Sequence, residues 1–418
     1  MSEKWRNFFK TLGPGILFAS TCIGVSHLVQ STRAGADYGF GLVGVILLAN
    51  LFKYPFFEFA SRYTSATGKS IIDGYFKKGR WILVIYAIVT FITMFIVTAA
   101  VTFVTAGLLS NLIKIEGFST DTWVLVILII CALLLIIGKF SALDTLLKLI
   151  GTVLVISTIV AFVSALLNGP TEPIEGFIPP SIGDKAGIIF IIALMGWMPT
   201  AVDMSVWTSL WTEARIQQTR YHPKLKETLL DFNLGYFISA ILAIFFLSLG
   251  ALVIYGSGTE MSNNSTSFAQ QLIGMYTNSI GQWSYLIIAV AAFSTMFSTS
   301  IAVVDGYSRG MARVTKLLIN ETREDSRTAL IVWTTVLIIG TYLVSTQFVN
   351  ALKSLVDMAT IVSFLIAPLA GYLNYKVIFS SEVSHEFRPP AWLKYLAISG
   401  LVFLSAFTVY YIYILLAG

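Results

Sequence analysis

The sequence predicts an all-α membrane protein of eleven transmembrane helices, built as a five-plus-five inverted repeat with helices one and six unwound near their middles. Three observations predict it. Apolar residues make up 56% of the chain and charged residues only 12%, against roughly 25% charged in a soluble domain. Stretches of 18 or more mostly apolar residues recur from end to end, each enough to cross ~30 Å of hydrocarbon as a helix. Two of these stretches, at corresponding places in the two halves, are interrupted at matching depth.

In chain order the spans are as follows. Span one, 12–31, holds "IGVSH" at its centre. Span two, 39–61, carries Lys53 and Glu58, five residues apart and expected as an internal ion pair or a snorkelling lysine. Span three, 81–112, has Thr98, Thr102 and Thr105 but no acid. Spans four (122–139) and five (145–167) are plainly apolar. Span six, 187–213, contains "MGWMPTAVD". Spans seven (229–255) and eight (283–305) follow, the latter with Ser294, Thr295, Ser298, Thr299 and Ser300, which suit either a cation site or helix packing. Spans nine (328–348), ten (350–377, with Asp357) and eleven (392–416) complete the set. Repeat one is about 12–167 and repeat two about 187–377, with 392–416 as an extra helix, all within one transmembrane domain, 1–418. The first span lacks an A-x-A-like cleavage site and is read as a true span rather than a signal peptide. Cys22 and Cys131 both fall inside spans, so no disulfide framework is implied.

Lys and Arg placement gives the orientation. With the N-terminus in the cytoplasm, 22 of the 27 basic residues lie on the inside, among them Lys4, Arg6, Lys10, Lys139, Lys148 and Arg323. Arg33, Lys114, Lys185 and Lys353 fall outside, and Lys53 lies within span two. This is the positive-inside asymmetry of an inner (plasma) membrane protein, here with an external C-terminus. The net charge of +5 therefore reflects topology and lipid headgroups and calls for no nucleic acid. Residues 168–186 are Pro-rich and external; 256–281 are polar and external; 306–327 form a basic inner segment, read as a solvated interfacial helix.

The interruptions carry the functional argument. In span one, Gly24 lies about twelve residues from the inner end; in span six, Met198-Pro199 lies about eleven from the outer end. Gly and Pro both weaken a continuous hydrogen-bond ladder. Backbone groups freed at mid-membrane must be satisfied by protein, water or solute, because lipid offers no partner. Each break also exposes a positive half-helix N-terminus and a carbonyl-rich C-terminus. Paired breaks of this kind are the mark of a carrier of the LeuT type.

Around these residues the chain resembles the Nramp family. "GPGILFA" opens span one, "QSTRAGADYGFGL" and "VILLANL" lead through span two, "ATGKSIIDGYFKK" follows it, and "MGWMPTAVDMS" lies in span six. The resemblance implies a LeuT-fold secondary transporter importing divalent transition metals, usually with protons, and needing no cofactor. It also implies a metal-binding Asp-Pro-Gly-Asn at the span-one break, where this sequence has Gly24, Val25, Ser26 and His27. In span six the family's Met-Pro-His reads Met198, Pro199, Thr200, and the span-three acids that move protons are absent.

The residues themselves leave two cargoes open. Gly24, Ser26, His27, Trp197, Met198, Thr200 and Asp203 are the candidate binding residues. His27, Met198 and Asp203, with freed carbonyls, form a mixed N, S, O set that suits Mn²⁺, Fe²⁺ or Zn²⁺. An intramembrane carboxylate is costly and is expected to face a cavity or partner, so Asp203 stands in for the missing span-one acid or pairs within the protein. Without that acid, the N–H groups, Ser26 and His27 of the first break also suit a small anion or a carboxylate-bearing solute. His27, with an ordinary pKa near 6.5, is a candidate coupling-proton carrier or a neutral side chain bonded to a carbonyl. Asp305 and Arg309, at i and i+4, read as a gate or structural pair, and Asp357 as a residue of the outer vestibule. With His222 and His385 in inner loops, no catalytic constellation is visible, so an enzyme is not expected. The expected partners are a small ion or solute and the lipid bilayer, with the chain a monomer.

Overall fold

The computed structural model describes residues 11, 13–137, 141–319 and 327–417, with side chains from 151 onward in the second of these long segments. Lys4, Arg6, Lys10, Lys139 and Arg323, counted above for orientation, lie outside the described residues, as does the side chain of Lys148. Every regular element among the described residues is helical. In chain order they are α1 (Pro14–Cys22), a π-helical turn (Ser26–Ser31) running into α2 (Thr32–Tyr38), α3 (Val43–Thr67), the short α4 (Ile71–Lys78), α5 (Arg80–Leu112), α6 (Thr120–Ile137) and α7 (Ser141–Asn168). The second half holds α8 (Lys185–Gly196), α9 (Ser205–Thr219), α10 (Leu225–Val253), α11 (Ser265–Ile280), α12 (Tyr285–Leu318), α13 (Arg327–Ser345), α14 (Leu352–Ile378) and α15 (Ala391–Ala417).

Among the described residues, nine helical stretches are long and apolar enough to cross a membrane, counting Ser26–Thr67 as one. Gly39, at φ +58, bends that stretch between α2 and α3 in a conformation natural to glycine. The two interrupted spans fall short for a physical reason. At nine residues α1 is about 14 Å long, and at twelve α8 is about 18 Å. Each is half a crossing, completed by the helix on the far side of its break.

Close backbone contacts hold span one in place. A Cβ on Gly15 would lie 2.0 Å from the Asp231 carbonyl oxygen, and one on Gly235 would lie 2.1 Å from that of Gly15. Above the break the pattern repeats, with Gly35 at 1.8 Å from Leu247 O and Gly250 at 2.2 Å from Thr32 O. Small residues thus seat both halves of span one on α10, as is usual where lipid supplies no hydrophobic drive for helix association.

Two expectations need correcting. The polar segment 256–281 contains a helix, α11, which buries Phe268, Leu272, Ile273 and Tyr276 against α5 and α7. Its apolar residues occupy one face only, so no continuous apolar run announces it. The basic segment after residue 305 is not a separate interfacial helix, because α12 continues unbroken to Leu318 and buries Tyr307, Met311 and Val314. Gly306 makes this possible, since any Cβ there would lie 2.3 Å from the Trp207 ring.

Candidate functional site

At the span-one break, Ile23 leaves helical geometry (φ −74, ψ 49) just after α1 ends at Cys22. Gly24 then accepts both His27 N–H at 3.1 Å and Leu28 N–H at 2.9 Å on its carbonyl. A Cβ at Gly24 would meet Thr299 Cγ2 of α12 at 2.9 Å, so a side chain here would require Thr299 to shift. Ser26 Oγ lies 2.5 Å from the Cys22 carbonyl oxygen and 2.8 Å from His27 Nδ1. His27 Nε2 lies 2.8 Å from the Ser239 carbonyl oxygen on α10. A carbonyl can only accept, so Nε2 carries a proton. In the neutral ring Nδ1 is then an acceptor for the Ser26 hydroxyl. In the doubly protonated ring Nδ1 donates to Ser26, whose own proton goes to Cys22. The chain Cys22–Ser26–His27–Ser239 can therefore hold either charge state of His27 with one hydroxyl rotation.

At the span-six break α8 ends at Gly196, pressed so closely on α14 that a Cβ would lie 2.0 Å from Thr360 O. The Met198–Pro199 bond is cis. Trp197 Nε1 donates to Ser363 Oγ at 2.8 Å, Thr200 Oγ1 lies 2.7 Å from Met204 Sδ, and Met198 is fully buried. Asp203 is buried, with its carboxylate beside the backbone N–H groups of Asp203 and Met204, the latter donating to Ala201 O at 3.1 Å. It thereby sits at the positive end of the half-helix that leads into α9.

The breaks are neighbours. The Cys22 side chain reaches Thr200 across the gap, and Ser239 on α10. Lys53, fully buried in α3, donates to the carbonyls of Met195, of Gly196 at 2.8 Å and of Thr200 at 3.2 Å, within Coulombic reach of Asp203. Lys53 therefore does not pair with Glu58, contrary to expectation. Glu58 takes Arg62 instead, at 2.5 Å and i+4, where the helical repeat brings them together. Among the described residues no group of three His, Cys, Asp or Glu is close enough to hold a metal, so His27 and Asp203 have no third such ligand beside them.

The remaining candidates lie away from the breaks. Asp357 faces Arg33, with contacts of 2.6 and 3.1 Å, and takes a further donor from Gln30 at 3.1 Å. Arg33 also lies over the Phe190 ring at 5.0 Å. Asp305 pairs with Arg309 at 2.6 Å, and Trp211 Nε1 lies 3.4 Å from Asp305. In α12, Thr295 and Ser300 bond back to their own helix, while Thr299 reaches Ser20 O at 3.3 Å. The span-three threonines do likewise: Thr98 and Thr102 bond back to their own helix, whereas Thr105 also meets Ser300 Oγ at 2.9 Å. Sequence reasoning overlooked Asp231, whose carboxylate caps the start of α1 through Gly13 N at 3.2 Å and Gly15 N at 2.7 Å. An acid inside span seven was the available signal.

Comparison with known proteins gives this architecture its kin. Residues 15–414 match the family described as natural resistance-associated macrophage protein-like, or Nramp. The chain belongs to the Nramp family. Nramp proteins are membrane transporters rather than enzymes and need no cofactor, a metal ion being cargo where one is carried. This Nramp protein is 35% identical over 412 residues to "Uncharacterized protein PM0681" of Pasteurella multocida, covering 98% of this chain and 93% of that one. It is 24% identical to the divalent metal cation transporter MntH of Levilactobacillus brevis, covering 98% and 89%. Among solved structures, a manganese transporter of Eremococcus coleocola superposes with a TM-score of 0.69 at 14% identity, over 97% of this chain and 86% of that one. MhsT in complex with L-phenylalanine superposes at 0.60 and 14%, over 96% and 98%. The fold is therefore the LeuT type in a multi-pass membrane protein.

Proposed function

We propose that this Nramp-family protein is a secondary-active carrier working by alternating access, with its cargo held between the breaks of spans one and six. The observation that carries the reading is the meeting of the two breaks, each with backbone outside the helical ladder and polar side chains beside it. The proposed frame has repeat one at 12–167, repeat two at 187–377 and 392–416 apart, in the inner membrane, with the N-terminus cytoplasmic and the C-terminus external. In this orientation the Arg33–Asp357–Gln30 cluster closes the outer side. A cleft lined by Thr11, Gly15, Thr208, Thr212 and Asp231 opens at the inner ends of the two half-helices.

Kinship with proteins named divalent metal cation transporters favours a divalent metal ion as cargo, met by Met198, Asp203 and His27, with Thr200 and Trp197 framing the site. Gly24 and Ser26 would present the first break to the same cargo. His27 is the proposed coupling group, because its hydrogen-bond chain accommodates the proton by turning Ser26. A second reading has one specific observation in its favour: Lys53 already occupies the carbonyls of the span-six break. An internal cation there suits a cargo that brings its own negative group, a small anion or carboxylate-bearing solute, to the N–H groups at 24–27.

Uptake into proteoliposomes tests both. Mn²⁺ uptake driven by a proton gradient, lost in His27→Ala with folding and expression intact, is expected on the metal reading. Normal uptake by that variant removes His27 from the mechanism. Silence with Mn²⁺, Fe²⁺, Mg²⁺ and Zn²⁺ alike sinks the metal reading and leaves the second.

A further inference from the structure

We propose that the Lys53 ammonium is a tethered cation, filling a cage of three carbonyl oxygens at the span-six break that would otherwise take a free cation. The cage arises from the break itself. In an unbroken helix the Met195 carbonyl would accept the N–H of residue 199, but residue 199 is proline and has none. The Gly196 carbonyl would accept from Thr200, which lies in the irregular segment 197–201. The Thr200 carbonyl would accept from Met204, whose N–H turns instead to Ala201 O at 3.1 Å. Three acceptors thus lose their α-helical partners at one place, Met195 O keeping only a long contact from Met198 N–H at 3.4 Å, at the negative end of half-helix α8.

Lys53 meets all three from α3. Three carbonyls around one nitrogen match the three N–H donors of the charged ammonium, whereas a neutral amine has only two. The side chain is fully buried, so water does not share the role, and every donor it owns is spent on the cage. Asp203 supplies the compensating charge from the other side of the break. Oxygen donors converging on one positive charge, with a carboxylate nearby, are what an alkali-metal or small alkylammonium ion needs. Here the ion is attached to span two, so it cannot leave with the cargo. The cage itself stands on these contacts alone; only its consequence for cargo, that no mobile cation takes the carbonyls of Met195, Gly196 and Thr200, rests on the carrier reading above.

The test uses the full chain purified in detergent. Lys53→Ala vacates the cage and is expected to lower the thermal midpoint by about 5 °C or more, as three buried carbonyls lose their partner. Ethylammonium chloride at millimolar concentration should recover most of that loss, with no comparable effect on the wild type, and choline chloride should recover none because its head is too large. Lys53→Met fills the stem's space without a donor, so its midpoint should fall and stay down in ethylammonium. The proposal is overturned if Lys53→Met is as stable as the wild type, or if ethylammonium raises Lys53→Met and Lys53→Ala alike. Should Lys53→Ala fail to fold, the Lys53→Met midpoint alone decides. The readout is stability, so a negative result here is distinct from a failure of uptake.

Discussion

Asp357→Asn is the perturbation with the most direct bearing on alternating access. Arg33 is almost wholly buried, its side chain 7% exposed against 28% for that of Asp357. It has two contacts to that carboxylate, at 2.6 and 3.1 Å, and a third to Gln30 at 2.9 Å. Removing one partner of a buried pair costs about 3–5 kcal/mol. The partial exposure of Asp357 and the surviving Gln30 bond reduce this to about 2 kcal/mol, which is roughly a 30-fold change in an equilibrium constant. Asp357 is on α14 and Arg33 on α2, so an outward opening that parts these helices loses the pair. The loss therefore falls on the outward-closed state and shifts the population outward. A cysteine at Thr360, buried behind Gln30 at 3.3 Å, reports this through its rate of alkylation by a membrane-impermeant maleimide. The native Cys22 and Cys131 are buried in this state and are replaced by serine in the background, so that only the introduced thiol reports. An accelerated rate, by about tenfold or more, is expected in Asp357→Asn. An unchanged or slower rate refutes the assignment of this pair to the outer closure.

Other outcomes follow from the packing around the breaks. Asp231→Asn keeps the shape of the α1 cap but weakens two charge-assisted bonds to Gly13 and Gly15, so a loss of about 2 kcal/mol is expected in urea or thermal unfolding. No measurable loss would mean α1 is held by its glycine contacts alone. Gly35→Ala drives a methyl to within 1.8 Å of the Leu247 carbonyl; it should cost about 3 kcal/mol or more and reduce membrane accumulation, and a variant that accumulates normally contradicts the close crossing with α10. Ser26→Ala removes the hydroxyl that turns between Cys22 and His27. It should leave folding intact and shift the pH profile of uptake, whereas an unshifted profile breaks the proposed proton relay.

Much of this was legible in the residues, for identifiable reasons. Hydropathy reveals crossings because lipid forbids unpaired backbone, and Gly24 and Met198-Pro199 reveal the breaks because each disrupts the helical ladder. What a linear sequence conceals is direction around a helix. The residues alone read Lys53 as a partner of Glu58 or a snorkelling lysine near the inner face, but i+4 spacing favours Arg62 for Glu58, and the lysine points at the break of another helix 142 positions away. Arg33 was counted as an external charge, although it is buried and paired with a residue 324 positions on. The helix at 265–280 escaped notice because half its surface is polar, and α12 seemed to end where its basic residues begin.

Charge balance joins the altered span-one break to Lys53. The family pattern places a carboxylate at the first break; here that place is Gly24, and the region holds one carboxylate, Asp203, beside one ammonium, Lys53. A dication held ~6 Å from that ammonium would be repelled by about 5 kcal/mol at an effective dielectric of ~20, and the missing carboxylate no longer offsets it. A carboxylate-bearing solute entering with a proton adds no net charge. Lys53→Met therefore moves the two cargoes in opposite directions. If the ammonium is what excludes metal, Mn²⁺ uptake should be weak in the wild type and rise at least tenfold in Lys53→Met reconstituted under the same gradient. Strong Mn²⁺ uptake by the wild type that falls in Lys53→Met would show instead that the lysine helps to assemble a metal site, and the charge balance drawn here would be wrong.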